Sequence, residues 1–266
     1  MTLDDRAYAR VVSFNIKVAT ETTLAHLASD LCHIGADLSA LQEVGSHWSM
    51  GPKLNQLAHL ALAQGHDNTS WLPLLERPWS EDPYRGGPFV FNQLSAQQDL
   101  QSQSGHFGIG LSARGRFENE KSHYLIRMSD EQRGIRRVDW WHPSYPNSPL
   151  TVLCTHLSVK PAERLLQIDQ LVDLSESISG PSLLLGDLND QPDSEALNRL
   201  YHQGWEDLYM QGAAKASAKP RFTFSVREPH RCIDYILGRG VTCINANIDH
   251  NMSSSDHFPI WADLTW

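Results

Sequence analysis

Apolar residues recur along this chain in two periods, short buried runs and helix-spaced stretches, and the two alternate. Residues 11–16 (VVSFNI) predict a short strand, followed by a helix over about 21–33 with Leu24, Leu27 and Leu31 on one face. Residues 37–44 (DLSALQEV) predict a second strand, and residues 54–64 a helix with Leu57, Leu60 and Ala61 inward. The pattern then breaks from Trp71 to Gly105, where prolines, two adjacent glycines and aromatics precede a Gln/Ser-rich run, AQQDLQSQSG. A segment this long without a period is expected to be a surface flap or a substrate-facing rim. From His106 the runs HFGIGLSARGRF, SHYLIRMS and RGIRRVDWW read as an antiparallel meander. Residues 150–157 (LTVLCTHL) predict a buried strand, and Pro161 and Glu163 open a helix bearing Leu165, Leu166, Ile168, Leu171, Val172 and Leu174.

That helix leads to residues 182–190, SLLLGDLND, around which the chain is organised. Three consecutive leucines predict a strand buried on both faces, with Gly186 ending it and releasing Asp187 and Asn189 at its carboxyl end. Alternation aims both polar groups one way and Leu188 the other. Ligands of α/β proteins collect outside the carboxyl ends of strands, and a carboxylate beside an amide oxygen suits a hard cation and a phosphate. The other strands end similarly, at Asn15, Glu43 and His156. A helix over about 194–203, a polar loop (GAAKASAKP) and four strand-like runs, FTFSV, RCIDYILG, VTCINANI and HFPIWADLTW, complete the chain. They bring Asp234, Ser255, Asp256 and His257.

At 266 residues, 41% hydrophobic and 20% charged, with no linker, the chain is expected to be one domain over 1–266. A net charge of −9 provides no global basic field, which weighs against an obligate nucleic-acid partner. The four cysteines lack CxxC spacing, favouring free thiols over zinc or disulfides. MTLDDRAYARVVSF has no basic segment followed by an apolar one, and no apolar run approaches a membrane span, so a cytoplasmic monomer is expected.

Asn15 in SFNI, Glu43 in LQEV, His156 in THL, Asp187 and Asn189 in GDLN, Asp234 in IDYI and Asp256 with His257 in SDHFP form one ordered series spanning nearly the whole chain. The series resembles the endonuclease/exonuclease/phosphatase superfamily, which includes deoxyribonuclease I, apurinic endonucleases, neutral sphingomyelinases and inositol polyphosphate 5-phosphatases. The resemblance implies an α/β fold, a four-layered α/β/β/α sandwich with two mixed sheets face to face and helices outside. It also implies that His257 pairs with Asp234 as general base, with Asp187 as the alternative base, and that His156 donates to the phosphate. RGIRR at 133–137 looks like the strand before THL in many bacterial members, and no catalytic role is assigned to it.

Phosphate-ester hydrolysis needs neutralised phosphoryl oxygens, an in-line water and an acceptor for that water's proton. Glu43, with Asn15 and Asp256, offers only oxygen donors, which favours Mg²⁺ or Mn²⁺ over zinc. Asp187 and Asn189 are expected to orient the water and hold a phosphoryl oxygen. The expected activity is therefore a divalent-metal-dependent phosphoesterase acting on a phosphodiester or phosphomonoester. A DNA or RNA nuclease and a sphingomyelinase-like phospholipid phosphodiesterase are the alternatives. A nuclease needs basic or aromatic gripping loops and an inositol phosphatase a lysine and arginine cluster, and the sequence shows only scattered arginines around Arg114–Arg137. A catalytically dead binding module is disfavoured because every motif position keeps its residue type.

Overall fold

The first predicted unit forms as a strand, a helix and a second, parallel strand. β1 (Ala9–Asn15) pairs with β2 (Leu38–Ser46), and α1 (Leu24–Ile34) crosses between them. Thr23 caps α1 by accepting the His26 N–H, and Gly35 ends it at φ 64°, a left-handed conformation that costs glycine little. α2 (Gln56–Gln64) lies beside α1. Leu24, Leu27, Leu31, Leu57 and Leu60 of the two helices are buried against Val12, Phe14 and Leu41 of the strands. The computed structural model describes residues 8–78, 104–128, 131–213 and 221–266.

The next stretch departs from the sequence expectation. Trp71 to Pro78 is not irregular but part of an eleven-residue strand, β3 (Asn68–Pro78), paired antiparallel with β4 (Ser104–Ala113). Proline removes a ladder donor, so a run containing Pro73 reads as a break; β3 tolerates it because it is an edge strand and Pro73 borders a register shift. The rest of the expected flap, residues 79–103, lies outside the described residues. HFGIGLSARGRF is also two elements: β4 ends at Ala113, and β5 (Arg116–Tyr124) begins the second sheet. β5 is polar and exposed for most of its length, so no apolar signal marks it.

β6 (Gly134–Trp141), β7 (Leu150–His156), α3 (Pro161–Glu176) and β8 (Ser182–Asp187) follow, with β7 and β8 parallel and α3 between them. α4 (Glu195–His202), β9 (Glu206–Asp207), α5 (Leu208–Ala213), β10 (Asp234–Arg239), β11 (Thr242–Ile248) and β12 (Ile260–Thr265) complete the order. FTFSV does not form a strand: Phe224 makes isolated bridges to Arg231 and His257. The expected polar loop at 212–220 begins instead inside α5, which takes residues 212 and 213, and its remainder lies outside the described residues.

The result is two mixed six-stranded sheets, β11-β12-β1-β2-β4-β3 and β5-β6-β7-β8-β10-β9. Their facing sides share one apolar cluster, in which Val11, Leu38, Ile109 and Leu264 of the first sheet meet Trp140, Val152, Leu183 and Ile236 of the second. α1 and α2 cover the first sheet outside, and α3 and α4 the second. β8 shows why its leucines run consecutively: Leu183 and Leu185 enter the core between the sheets and Leu184 the core under the helices. Truncating any one to alanine leaves a cavity and costs about 2–5 kcal/mol. The four cysteines are free, with Cys32 exposed and the others buried. Among the described residues no helix is long and apolar enough to cross a membrane.

Candidate active site

Both parallel pairs, β1–β2 and β7–β8, end at the same side of the molecule, and β10 and β12 run the other way. Asn15 and His156 therefore sit at strand ends and Asp187 closes β8, whereas Asp234 opens β10 and His257 precedes β12. The antiparallel pairing thus brings both late residues to the site from strand beginnings. In the second sheet the register aligns Gly134, His156, Asp187 and Asp234 in one row across four strands. Gly186 allows this row to close up, since a Cβ there would lie 2.0 Å from the Thr155 carbonyl oxygen.

Glu43 reaches the site through a bulge. The register of β2 with β4 jumps from Leu41↔Gly110 to Val44↔Gly108, so Gln42 and Glu43 together face Ile109, and Glu43 adopts φ 52°. A bulge re-aims a side chain that regular alternation would send elsewhere. Asn189 is also left-handed, at φ 54°, held by its N–H to Asp187 Oδ1 at 2.9 Å and by its amide to the Leu157 carbonyl at 2.9 Å. Lys17, Val18 and Ala19 form a third left-handed stretch. Such backbone costs on the order of 1–2 kcal/mol per residue, and two of these stretches, at Glu43 and Asn189, line the site.

The hydrogen bonds fix the histidine tautomers. Arg133 Nη1 donates to His156 Nδ1 at 3.0 Å, and a guanidinium only donates, so the His156 proton is on Nε2, 3.5 Å from Asp187 Oδ2. His257 Nδ1 lies 2.9 Å from Asp234 Oδ2, and its Nε2 lies 3.8 Å from Asp187 Oδ2. Asn15 donates its amide to Glu43 at 3.0 Å and to Asp187 at 3.2 Å, while its Oδ1 accepts the Lys17 N–H. The Ser255 hydroxyl donates to the Asn15 carbonyl at 2.7 Å, tying the SDH segment to the end of β1. Lys17 Nζ binds Asp256 at 2.9 Å and Glu21 at 2.6 Å.

These contacts set the charges. Burial holds His156 well below its usual range, reinforced by Arg133 and His257, so it is neutral. Burial would lower His257 too, but the charge and hydrogen bond of Asp234 outweigh it and raise it to about 10. Asp187 is raised, first by burial and then by Asp234, against the opposing pull of His257 and the Asn189 N–H. Burial also raises Glu43, partly offset by the Asn15 amide.

Glu43, His156, Asp187, Asn189, Asp256 and His257 line a cavity of about 510 Å³. Asn15 and Asp234 stand behind it, bonded to residues that do. All eight sequence-predicted positions are thus brought together. Eight further residues line the cavity, among them the charged or aromatic Glu131, Arg133, Lys160, Phe224 and Arg231. Only Arg133 had carried a signal, the RGIRR run; the cations come from separate segments and form no cluster in sequence. Among the described residues, Asp187, Asp234 and His257 form a group whose ligand atoms lie within 4.8 Å of one another. The His257–Asp234 hydrogen bond already uses the facing atoms of two of them.

A fold of two packed mixed sheets with such a site defines a class of hydrolase, and the sequence agrees. The profile of the endonuclease/exonuclease/phosphatase family matches residues 12–257, and the chain belongs to that family. Its members hydrolyse phosphate esters and generally use divalent metals. No curated protein matches the chain. Among solved structures, an endonuclease/exonuclease/phosphatase from Beutenbergia cavernae is 20% identical, with 97% of this chain and 72% of that one covered at a TM-score of 0.75. The human Nocturnin catalytic domain with bound sulfate anion is 17% identical, covering 99% and 96% at 0.65. A mannosyl-6-phosphatase from Bacteroides thetaiotaomicron is 13% identical, covering 97% and 100% at 0.66.

Proposed function

We propose that this chain is a divalent-metal-dependent phosphoesterase that hydrolyses a small phosphodiester or phosphomonoester by attack of an activated water. The observation that carries this reading is the convergence of His156, Asp187, Asn189, Asp256, His257 and Glu43 on one cavity, with Asp234 behind His257. A volume of about 510 Å³ suits a small-molecule ester.

The donor chemistry fits a hard cation. Glu43 and Asp256 present oxygens to the cavity beside Asp187, and Asp187 Oδ2 meets the neutral His156. All-oxygen donors of this kind select Mg²⁺ or Mn²⁺. Glu43 and Asp256 would hold the ion, with Asn15 positioning Glu43 through its amide. When bound, the ion would supply charge neutralisation at the phosphoryl oxygens.

The remaining roles follow from the tautomers. His156 Nε2–H and Arg133 are donors facing the phosphoryl group, and Asn189 holds its place through Leu157 and Asp187. Asp187 Oδ2 takes the proton from water, and His257, held protonated at neutral pH by Asp234, stabilises that carboxylate through Nε2–H, 3.8 Å away. Asp234 orients His257 and stabilises its protonated form.

The test is hydrolysis of aryl phosphate mono- and diesters with Mg²⁺ or Mn²⁺, with and without EDTA. Turnover should require metal and should fall by roughly 10²–10⁴ in Asp187→Asn and in His257→Ala. Unchanged turnover in excess EDTA would refute the metal, and unchanged turnover in both variants would refute the site.

A further inference from the structure

The cations at the cavity differ in what holds them. Arg133 is bound by Glu131 at 2.6 Å and by His156, and at the edge of the site Lys17 is bound by Glu21 and Asp256. Arg231 and Lys160 also line the cavity, yet among the described residues neither side chain has an acceptor. For Lys160, which is exposed, that is ordinary. Arg231 is half-buried along its stem and keeps its guanidinium in water, so with no protein acceptor it too is available to an anion that enters the cavity.

Local structure shows what Arg231 is placed to do. Arg231 N donates to the Phe224 carbonyl at 2.8 Å and Phe224 N to the Arg231 carbonyl at 3.0 Å, a mutual antiparallel pair whose side chains share one face. The Phe224 ring lies 4.8 Å from that of His257. Arg231 is thus bridged to the residue whose ring packs on His257, and both line the cavity, while Lys160 arrives from another element, directly before α3. The scissile phosphate already has Arg133, His156 and the metal carboxylates.

We propose that Arg231 and Lys160 form a subsite for a second phosphate, so that the substrate is a small bisphosphorylated molecule, one group being cleaved at Asp187 and the other held by these two cations. A guanidinium and an ammonium balance a dianion, which favours a phosphate monoester over a carboxylate. Phe224 supplies an apolar wall between the two positions. The proposal rests on the phosphoesterase reading for its catalytic half only.

Isothermal titration calorimetry in the presence of Mg²⁺ tests it, with propyl phosphate and a series of α,ω-alkane bisphosphates as a ruler. The protein should bind at least one bisphosphate tenfold or more tightly than propyl phosphate, a gain on the order of one charge-assisted contact. Arg231→Gln and Lys160→Gln should each cut that ratio substantially, and Arg231→Lys should retain part of it. A protein that prefers no bisphosphate of any length, or a preference that survives Arg231→Gln, would overturn the subsite. Should Arg231→Gln fail to fold by circular dichroism, a ratio unmoved in both Arg231→Lys and Lys160→Gln overturns it equally. The outcomes separate from the first reading because binding needs no turnover. Bisphosphate preference without hydrolysis of any ester sinks the phosphoesterase assignment alone, and hydrolysis without preference sinks the subsite alone.

Discussion

Asp234→Asn is the sharpest perturbation the site offers, because it removes one charge and little else. Asp234 is fully buried, one oxygen lies 2.9 Å from His257 Nδ1, and the other has no hydrogen-bond partner. Opposite unit charges at 2.9 Å in an effective dielectric of about 20 attract by about 6 kcal/mol, or roughly four pKa units. Burial takes back part of this, and the balance is a His257 raised to about 10. The variant should therefore bring His257 down to its ordinary value of about 6.5 or below, read by NMR titration of the imidazole Cε1 proton in EDTA. The sign extends to stability: the raised group stabilises the fold fully below about pH 6.5 and loses that contribution as pH rises through about 10, so the alkaline decline should vanish in Asp234→Asn. Turnover should fall by roughly 10²–10⁴, and the double variant Asp234→Asn, His257→Ala should be no more than about tenfold worse than the poorer single variant. An unmoved titration, or single losses that multiply in the double variant, would refute the pair.

Glu43→Gln should keep the fold while raising the Mg²⁺ concentration needed for half-maximal turnover by tenfold or more; an unchanged metal requirement would remove Glu43 from the ion's ligands. Asn189→Asp should cut turnover at neutral pH despite its near-identical shape, because a carboxylate oxygen cannot donate to the Leu157 carbonyl as the amide does at 2.9 Å, and wild-type turnover would show that donor to be dispensable. His66 is buried between the Ser112 hydroxyl and the Ala36 carbonyl, and burial lowers it, so the unfolded chain takes up its proton first. Stability should accordingly fall as pH drops below about 6.5, and His66→Gln should flatten that acid limb in thermal melts from pH 7 to 5; an identical slope would assign the limb to other groups.

Much of the site was legible in sequence because its residues sit where short-range pattern is strongest. A buried run such as SLLLGD, packed on both faces, reads as a strand without reference to its neighbours, and the polar residues that close it stand out against the leucines. The same holds for β1, β7 and the helices α1 and α3, whose start signals, a Thr23 cap and a first-turn Pro161, and apolar spacing are local. The ordered motifs sufficed to suggest the family and the four layers. What depends on pairing was not legible. Prolines mark a break unless the strand is known to be an edge, as β3 is, and the polar run of β5 declares itself only beside β6. Glu43 lies in a bulge that exists only against β4, and Asp234 and His257 reach the site because β10 and β12 run antiparallel to β8 and β1. Arg133, Lys160 and Arg231 are far apart in the chain and adjacent only around the cavity. Periodicity encodes which face of an element is buried, whereas which elements meet, in which register and direction, is decided by long-range contacts, and those contacts decide which cations stand free to meet a ligand.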